Sequence, residues 1–174
     1  VFIPHKGCPH DCIFCNQKKI SGSISEVTKE DVYRIIDNSL KTINHQAHTE
    51  IGFYGGSFTG IEKEKQLEFL KTAGFFVEEG KVASVRISTR PDYINPEILT
   101  YLKENYVKTI ELGAQSLGEE VLIASNRGHT PEDVYYAALL IKEYGFTLGI
   151  QTMTGLPGDT PQKDIETAKK VIGL

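Results

Sequence analysis

Outside residues 8–15 this chain of 174 residues has no cysteine, and the three it has, Cys8, Cys12 and Cys15, fall within eight positions. Three is an odd number, so a closed disulfide framework cannot use them all. Odd, clustered cysteines point to a reducing compartment, and a cytoplasmic location is expected. Long hydrophobic runs are also missing. None approaches the ~20 residues that a membrane span needs, so a spanning helix is not expected, nor a membrane partner. Charge of neither sign dominates: the formal net charge of −4 provides no global basic field to attract nucleic acid from a distance. Internal repeats, low-complexity tracts and interdomain linkers are lacking. The opening "VFIPHKG" has neither an initiator Met nor the order of an export signal. The expectation is therefore one domain, residues 1–174, excised from a longer chain.

What is present is ordinary for a globular protein, with 40% hydrophobic and 24% charged residues. Short β-branched or apolar runs alternate with helical patterns. The runs are 1–4, 51–55, 84–89, 109–115 and 147–153, and between the first two Val32, Ile35, Ile36, Leu40 and Ile43 recur at helical spacing. Asn95-Pro96, Thr130-Pro131 and Thr160-Pro161 each set a capping residue before a proline at the first helical position. Gly145 and Gly173 follow apolar stripes as left-handed helix stops. Alternating strands and helices predict an α/β fold with a parallel sheet. The C-terminal ends of the runs read "PHKGC", "YGGS", "STRPD", "AQS" and "QTMTG". Polar or glycine-rich residues after every strand suit the mouth of a barrel better than a single switch point. A complete eightfold barrel needs about 250 residues. The expectation is thus a partial TIM-like barrel, stopping after about five β/α units, with its last sheet edge lacking a neighbour.

Three thiolates spaced as in "CPHDCIFC" can converge on one metal centre from a single loop. Zinc would need a fourth ligand, for which His5 and His10 are at hand. An iron–sulfur cluster is normally held by four thiolates, so three would leave one iron open to a ligand from outside the protein. At this point the sequence resembles a known family. Cys8, Cys12 and Cys15, with Phe14 as the aromatic position, match the CxxxCxΦC signature of the radical S-adenosylmethionine (SAM) superfamily. That resemblance implies a [4Fe-4S] cluster whose open iron binds SAM, and reductive cleavage of SAM to methionine and a 5′-deoxyadenosyl radical. It also implies a partial (β/α)6 barrel with the signature after the first strand, and an external electron donor of flavodoxin or ferredoxin type.

Other stretches carry the resemblance further. "YGGSFTG", residues 54–60, resembles the family's Gly-Gly motif, which implies that Gly55, Gly56 and Ser57 meet the amino group of SAM. The bland alternative is an ordinary strand-to-helix turn. "LGAQSLGEEVLIASNRGHT", residues 112–130, resembles the matching segment of oxygen-independent coproporphyrinogen oxidases and of the Elongator catalytic subunit. By that match Gln115 bonds the SAM ribose and Arg127 pairs with its carboxylate, for which a guanidinium fork is suited. The alternative for Arg127 is closure of a helix end. In "GIQTMTGLPGD" Gln151 stands where those oxidases carry a ribose-binding Asp. Ser88 stands where they carry a ribose-binding Glu.

The branch is closer to Elongator-like proteins, because position 17 is Gln where the oxidases have a further cysteine. Members with an acetyltransferase domain modify the wobble uridine of tRNA. Nothing in this chain resembles that domain, so the substrate stays unidentified, with tRNA one candidate. Lys6, Lys18 and Lys19 either meet RNA phosphates or form a solvated face. A zinc-binding or iron–sulfur electron-transfer module without SAM chemistry is the rival reading. His45 and His48 read as surface loop, His129 as part of the "RGHT" turn, and Phe75, Phe76 and Val77 as core. Tyr54 borders the expected site, with core packing as its alternative.

Overall fold

The computed structural model describes residues 1–3, 12–15, 26–43 and 48–174. Five strands, β1 (Phe2–Ile3), β2 (Glu50–Gly55), β3 (Ser84–Thr89), β4 (Val107–Gln115) and β5 (Thr147–Thr152), form one sheet. Every neighbouring pair is parallel and the spatial order equals the chain order. A doubly wound sheet reverses its order at a switch point, and this sheet does not. The architecture is the partial barrel expected from the sequence.

Helices fill the crossovers. α1 (Lys29–Leu40) precedes β2, α2 (Lys63–Glu78) joins β2 to β3, and α3 (Pro96–Glu104) joins β3 to β4. α4 (Glu119–Ala124) and α5 (Pro131–Glu143) lie between β4 and β5, and α6 (Pro161–Ile172) follows β5. The caps form as the sequence implies. Asn95 Oδ1 accepts from the Ile98 amide at 2.9 Å and Thr160 Oγ1 from the Lys163 amide at 3.3 Å. Thr130 and Asp133 close a reciprocal capping box, and Thr28 with Asp31 builds a second one before α1.

Side chains alternate across the strands. Ile51, Phe53, Val85, Ile87, Ile110 and Leu112 point toward the helices and are buried. The intervening positions, among them Glu50, Tyr54, Arg86, Glu111 and Gln151, lie on the other face, which is the inside of the partial barrel.

Two local expectations need correction. Gly145 is left-handed (φ 81°), but Gly173 is not: its φ is −79°, and its amide bonds the Lys170 carbonyl at 3.1 Å. The last turn of α6 tightens there instead of reversing. Of the expected core aromatics, Phe76 is fully buried but Phe75 is 42% exposed. Consecutive helical residues are about 100° apart, so both cannot face the sheet. Phe75 instead lies edge-on to Phe76 and near Tyr33. Phe76→Ala should therefore cost about 3–5 kcal/mol, and Phe75→Ala about 1 kcal/mol or less. Urea unfolding midpoints at unchanged m-value measure both.

Candidate active site

Parallel pairing in chain order brings all five C-terminal strand ends to one rim, and each end is shaped by its own local sequence. At the end of β2, Gly55 has φ 127°, and a Cβ there would lie 2.1 Å from the Ile3 carbonyl oxygen. Only glycine allows that approach. The Gly56 amide then donates to the same carbonyl at 3.3 Å. Ser57 is buried. Its hydroxyl accepts from the Arg90 amide at 3.2 Å and shares a 2.8 Å bond with the Thr89 hydroxyl. That ties the rim of β2 to the rim of β3, where Arg90 clasps Asp92 through Nε and Nη2 at 2.9 and 3.1 Å.

At the end of β4 the register to β5 shifts between Gly113 and Gln115, and Gln115 takes φ 69°. A non-glycine residue held in the left-handed region at a sheet end is a strained position that surrounding contacts must enforce. Here the Gln115 carbonyl accepts from the Met153 amide at 2.8 Å. Gly113 makes room for Arg127, since a Cβ there would sit 3.0 Å from Nη2. The Arg127 amide bonds the Leu122 carbonyl at 3.0 Å and so closes α4, as the bland alternative supposed. Its side chain does something else. Nη2 donates to the Gly113 carbonyl at 2.6 Å, Nη1 lies 3.7 Å from Cys12 Sγ, and buried Nε has no partner among the described residues.

The cysteine loop docks on this rim. The Ile13 amide donates to the Ser125 carbonyl at 3.2 Å, and the Cys15 amide turns back to the Cys12 carbonyl at 2.9 Å. Cys12 is buried, while Phe14 and Cys15 are half-buried. Cys8 lies outside the described residues, as do His5, His10, His45, Lys6, Lys18 and Lys19. Among the described residues no three potential metal-ligating side chains cluster. His48, which is described, is exposed.

An open cavity of about 150 Å³ sits at the rim. The loop contributes Cys12, Phe14 and Cys15, and β2 contributes Gly55, Gly56 and Ser57. Ser88 comes from β3, Gln115 and Arg127 from the β4 end, and Gln151 from β5. Of the site residues expected from the sequence, all but the undescribed Cys8 thus meet around one cavity.

Three further residues line it that sequence reasoning did not select: Thr89, Arg90 and Gly113. Also missed was the polar chain on the inner face below. Arg86 Nε and Nη2 donate to Glu50 Oε2 at 2.9 and 2.6 Å, and Nη1 donates to Glu111 Oε1 at 2.6 Å. The Tyr54 hydroxyl and the Gln151 amide complete it through Glu111, which settles Tyr54 as an inner-face residue rather than core. A signal was available: polar residues or glycine at every second position of otherwise apolar strands, with Glu50, Arg86 and Glu111 among them, mark a polar inner face. Burial pushes both carboxyls up, but the hydrogen bonds from Arg86, with those from Ser84 and Thr109 on Glu50 and from Gln151 and Tyr54 on Glu111, outweigh it and leave both low. Burial and the bond to Glu111 push the Tyr54 hydroxyl up.

His129 is not merely a turn residue. It is buried, with Nε2 3.1 Å from the Ala114 carbonyl and Nδ1 without a partner among the described residues. Burial, then the positive charges of Arg127 and Arg90, push its pKa down to about 4.

A parallel barrel whose C-terminal mouth gathers thiols, close-approach glycines and a buried guanidinium defines a cofactor-binding α/β enzyme class. The chain belongs to the Radical SAM superfamily, whose family model matches residues 2–171. It is 31% identical to a tRNA uridine(34) acetyltransferase of Methanocaldococcus jannaschii, over 94% of this chain and 37% of the relative. A tRNA uridine(34) acetyltransferase of Dehalococcoides mccartyi is 25% identical over 94% of this chain and 42% of its own length. Among solved structures, the archaeal Methanocaldococcus infernus Elp3 lacking its N-terminus superposes with a TM-score of 0.71 at 26% identity, covering 82% of this chain and 37% of that one. The chain thus spans less than half the length of these relatives.

His129 sets a pH dependence. Its folded pKa of about 4 lies below the ordinary 6.5, so the unfolded state binds the proton more tightly. The stability it contributes is complete above pH 6.5 and falls as pH drops toward 4. The loss amounts to roughly 3 kcal/mol at 1.36 kcal/mol per unit. His129→Gln should flatten that part of the stability profile, measured by urea unfolding between pH 4 and 7.

Proposed function

We propose that residues 1–174 form one radical SAM core domain that holds a [4Fe-4S] cluster through Cys8, Cys12 and Cys15 and binds SAM in the cavity beside it. The observation that carries this reading is the convergence of residues from five separate sequence stretches on one cavity that also contains Cys12 and Cys15. The donor set suits the pair. Two thiols stand at the rim, Gly55 and Gly56 line the cavity with no side chain in the way, and among the described residues buried Arg127 Nε has no partner. When bound, the pair supplies reductive cleavage of SAM to methionine and a 5′-deoxyadenosyl radical for hydrogen abstraction.

The chain's own residues bind, orient and exclude. Cys12, buried, held by the Ile13–Ser125 backbone bond and adjoining Arg127, would hold the cluster through its sulfur. Arg127 presents positive charge to the SAM carboxylate, and Gly55 and Gly56 with Ser57 meet the amino group. The Ser57 hydroxyl is already engaged by Thr89 and Arg90, so its part is to fix the turn rather than to donate freely. Gln115 and Gln151 face the ribose from neighbouring strands, with Ser88 between β2 and β4, and Phe14 shields the loop.

The tRNA-modifying relatives support tRNA as the first substrate to test, and an external flavodoxin- or ferredoxin-type donor as the reductant. The proposed compartment is the cytoplasm; among the described residues no helix is long and apolar enough to cross a membrane. A zinc or electron-transfer module would explain the cysteines and leave Gly55, Gln115, Arg127 and Gln151 around the same cavity without a common purpose.

After anaerobic reconstitution with iron and sulfide and reduction, the electron paramagnetic resonance signal should shift when SAM is added. Serine at any one of the three cysteines should abolish SAM cleavage. Turnover that survives such a change, or tight zinc with no cluster formed, sinks the assignment. Arg127→Ala should keep its iron and lose roughly 10-fold to 100-fold in SAM affinity, the range for a hydrogen bond to a charged group. Iron lost together with SAM would instead make Arg127 a support of the cysteine loop.

A further inference from the structure

Glu111 stands on the inner face of β4, with β3 on one side and β5 on the other. Both of its carboxylate oxygens are committed. Oε1 accepts from Arg86 Nη1 at 2.6 Å and from the Tyr54 hydroxyl at 3.1 Å, and Oε2 accepts from Gln151 Nε2 at 2.5 Å. Arg86 is held from the far side by Glu50, whose other oxygen takes the hydroxyls of Ser84 and Thr109 at 2.7 and 3.1 Å. The hub is therefore fixed from three strands at once.

A carboxylate paired with a guanidinium is ionised and offers only acceptors. The group of Gln151 that faces Glu111 is therefore the NH2. The carbonyl Oε1 is left over, and among the described residues no protein donor reaches it. Gln151 lines the rim cavity. With the NH2 turned to Glu111, Oε1 is the atom left to accept from a ligand there, and the ligand group that matches it is a donor such as a hydroxyl.

We propose that Glu111 is a positioning residue which locks the Gln151 amide with its carbonyl toward the cavity, so that a ribose hydroxyl of the bound nucleoside is selected as a hydrogen-bond donor. This rests on the reading of the cavity as a SAM site. It explains how a neutral amide serves at a position where a carboxylate would otherwise accept. With Glu111 beside it, an acid at position 151 would put two carboxylates in contact, one of which would have to take up a proton.

Three isosteric variants test it: Glu111→Gln, Gln151→Glu, and the two combined. Glu111→Gln frees the amide to turn and should weaken SAM binding to the reconstituted chain roughly threefold to tenfold, the range for one neutral hydrogen bond. The same variant should bind 2′-deoxy- and 3′-deoxyribose analogues of SAM more nearly as well as SAM itself. Gln151→Glu alone should also weaken SAM binding. The double variant reverses the pair: an amide on β4 donates to a carboxylate on β5, whose second oxygen faces the cavity. It should recover most of the affinity. A mere support for the barrel would not be rescued by that exchange. In the chain without cluster, the side-chain amide proton of Gln151 should resonate downfield in a nitrogen–proton correlation spectrum and lose that shift in Glu111→Gln. Unchanged affinity in Glu111→Gln, or a double variant no better than the singles, overturns the proposal. If the wild-type chain binds no SAM the reading of the cavity fails. The amide resonance then decides the placement of Gln151 separately, and a signal unaffected by Glu111→Gln overturns it.

Discussion

The cavity depends on parallel pairing without a change of strand order. Because β1 to β5 run the same way and lie side by side in chain order, residues that follow each strand are delivered to one rim although the sequence separates them by up to about 140 positions. The pairing is in turn limited by how closely the strand ends can approach. Gly55 meets the Ile3 carbonyl at a distance no side chain permits, and Gly113 leaves space for the Arg127 guanidinium. A side chain at Gly55 would push β2 from β1, and one at Gly113 would displace the Arg127 guanidinium by a few tenths of an ångström.

Arg127 joins three levels of organisation. Its amide terminates α4, its side chain bonds the end of β4, and the same guanidinium lies against Cys12 from a loop 115 residues away. The Ser125 carbonyl, two residues before it, holds the Ile13 amide of that loop. A short helix of six residues would have little reason to persist by propensity alone. Here it is anchored at both the rim and the loop. Buried His129, bonded to the Ala114 carbonyl, ties the segment after this helix to β4 as well.

The inner face behaves differently from the helix-facing core. There, apolar burial decides, with Phe53, Ile87, Ile110 and Leu112 fully enclosed. On the inner face the Glu50–Arg86–Glu111 chain is only partly enclosed, with the Arg86 side chain 35% exposed. Surface-type ion pairs contribute about 1 kcal/mol or less, so the chain is a weak source of stability. Its effect is on direction. Each member has its donors or acceptors assigned, and groups at the rim inherit an orientation from those below.

Much of this was legible in the sequence because it depends on local chemistry. Proline-marked caps and β-branched runs are short-range signals, and the helices and strands they imply formed where expected. The Gly-Gly turn and the "NRGHT" segment were legible for the same reason, since each needs particular residue types at adjacent positions. Phe75 and Gly173 were misread because one helical turn decides which of two neighbours faces the sheet, and the path of the chain decides whether a glycine must reverse. The hub at Glu111 could not be found from the sequence alone. Its partners Tyr54, Arg86 and Gln151 come from three other strands, and only register brings them within bonding distance. Local propensity and spacing were enough to set the elements, their parallel order and the residue types at each strand end. Which of those residues touch was left to the folded sheet, because contact across strands depends on register and twist that no single stretch encodes.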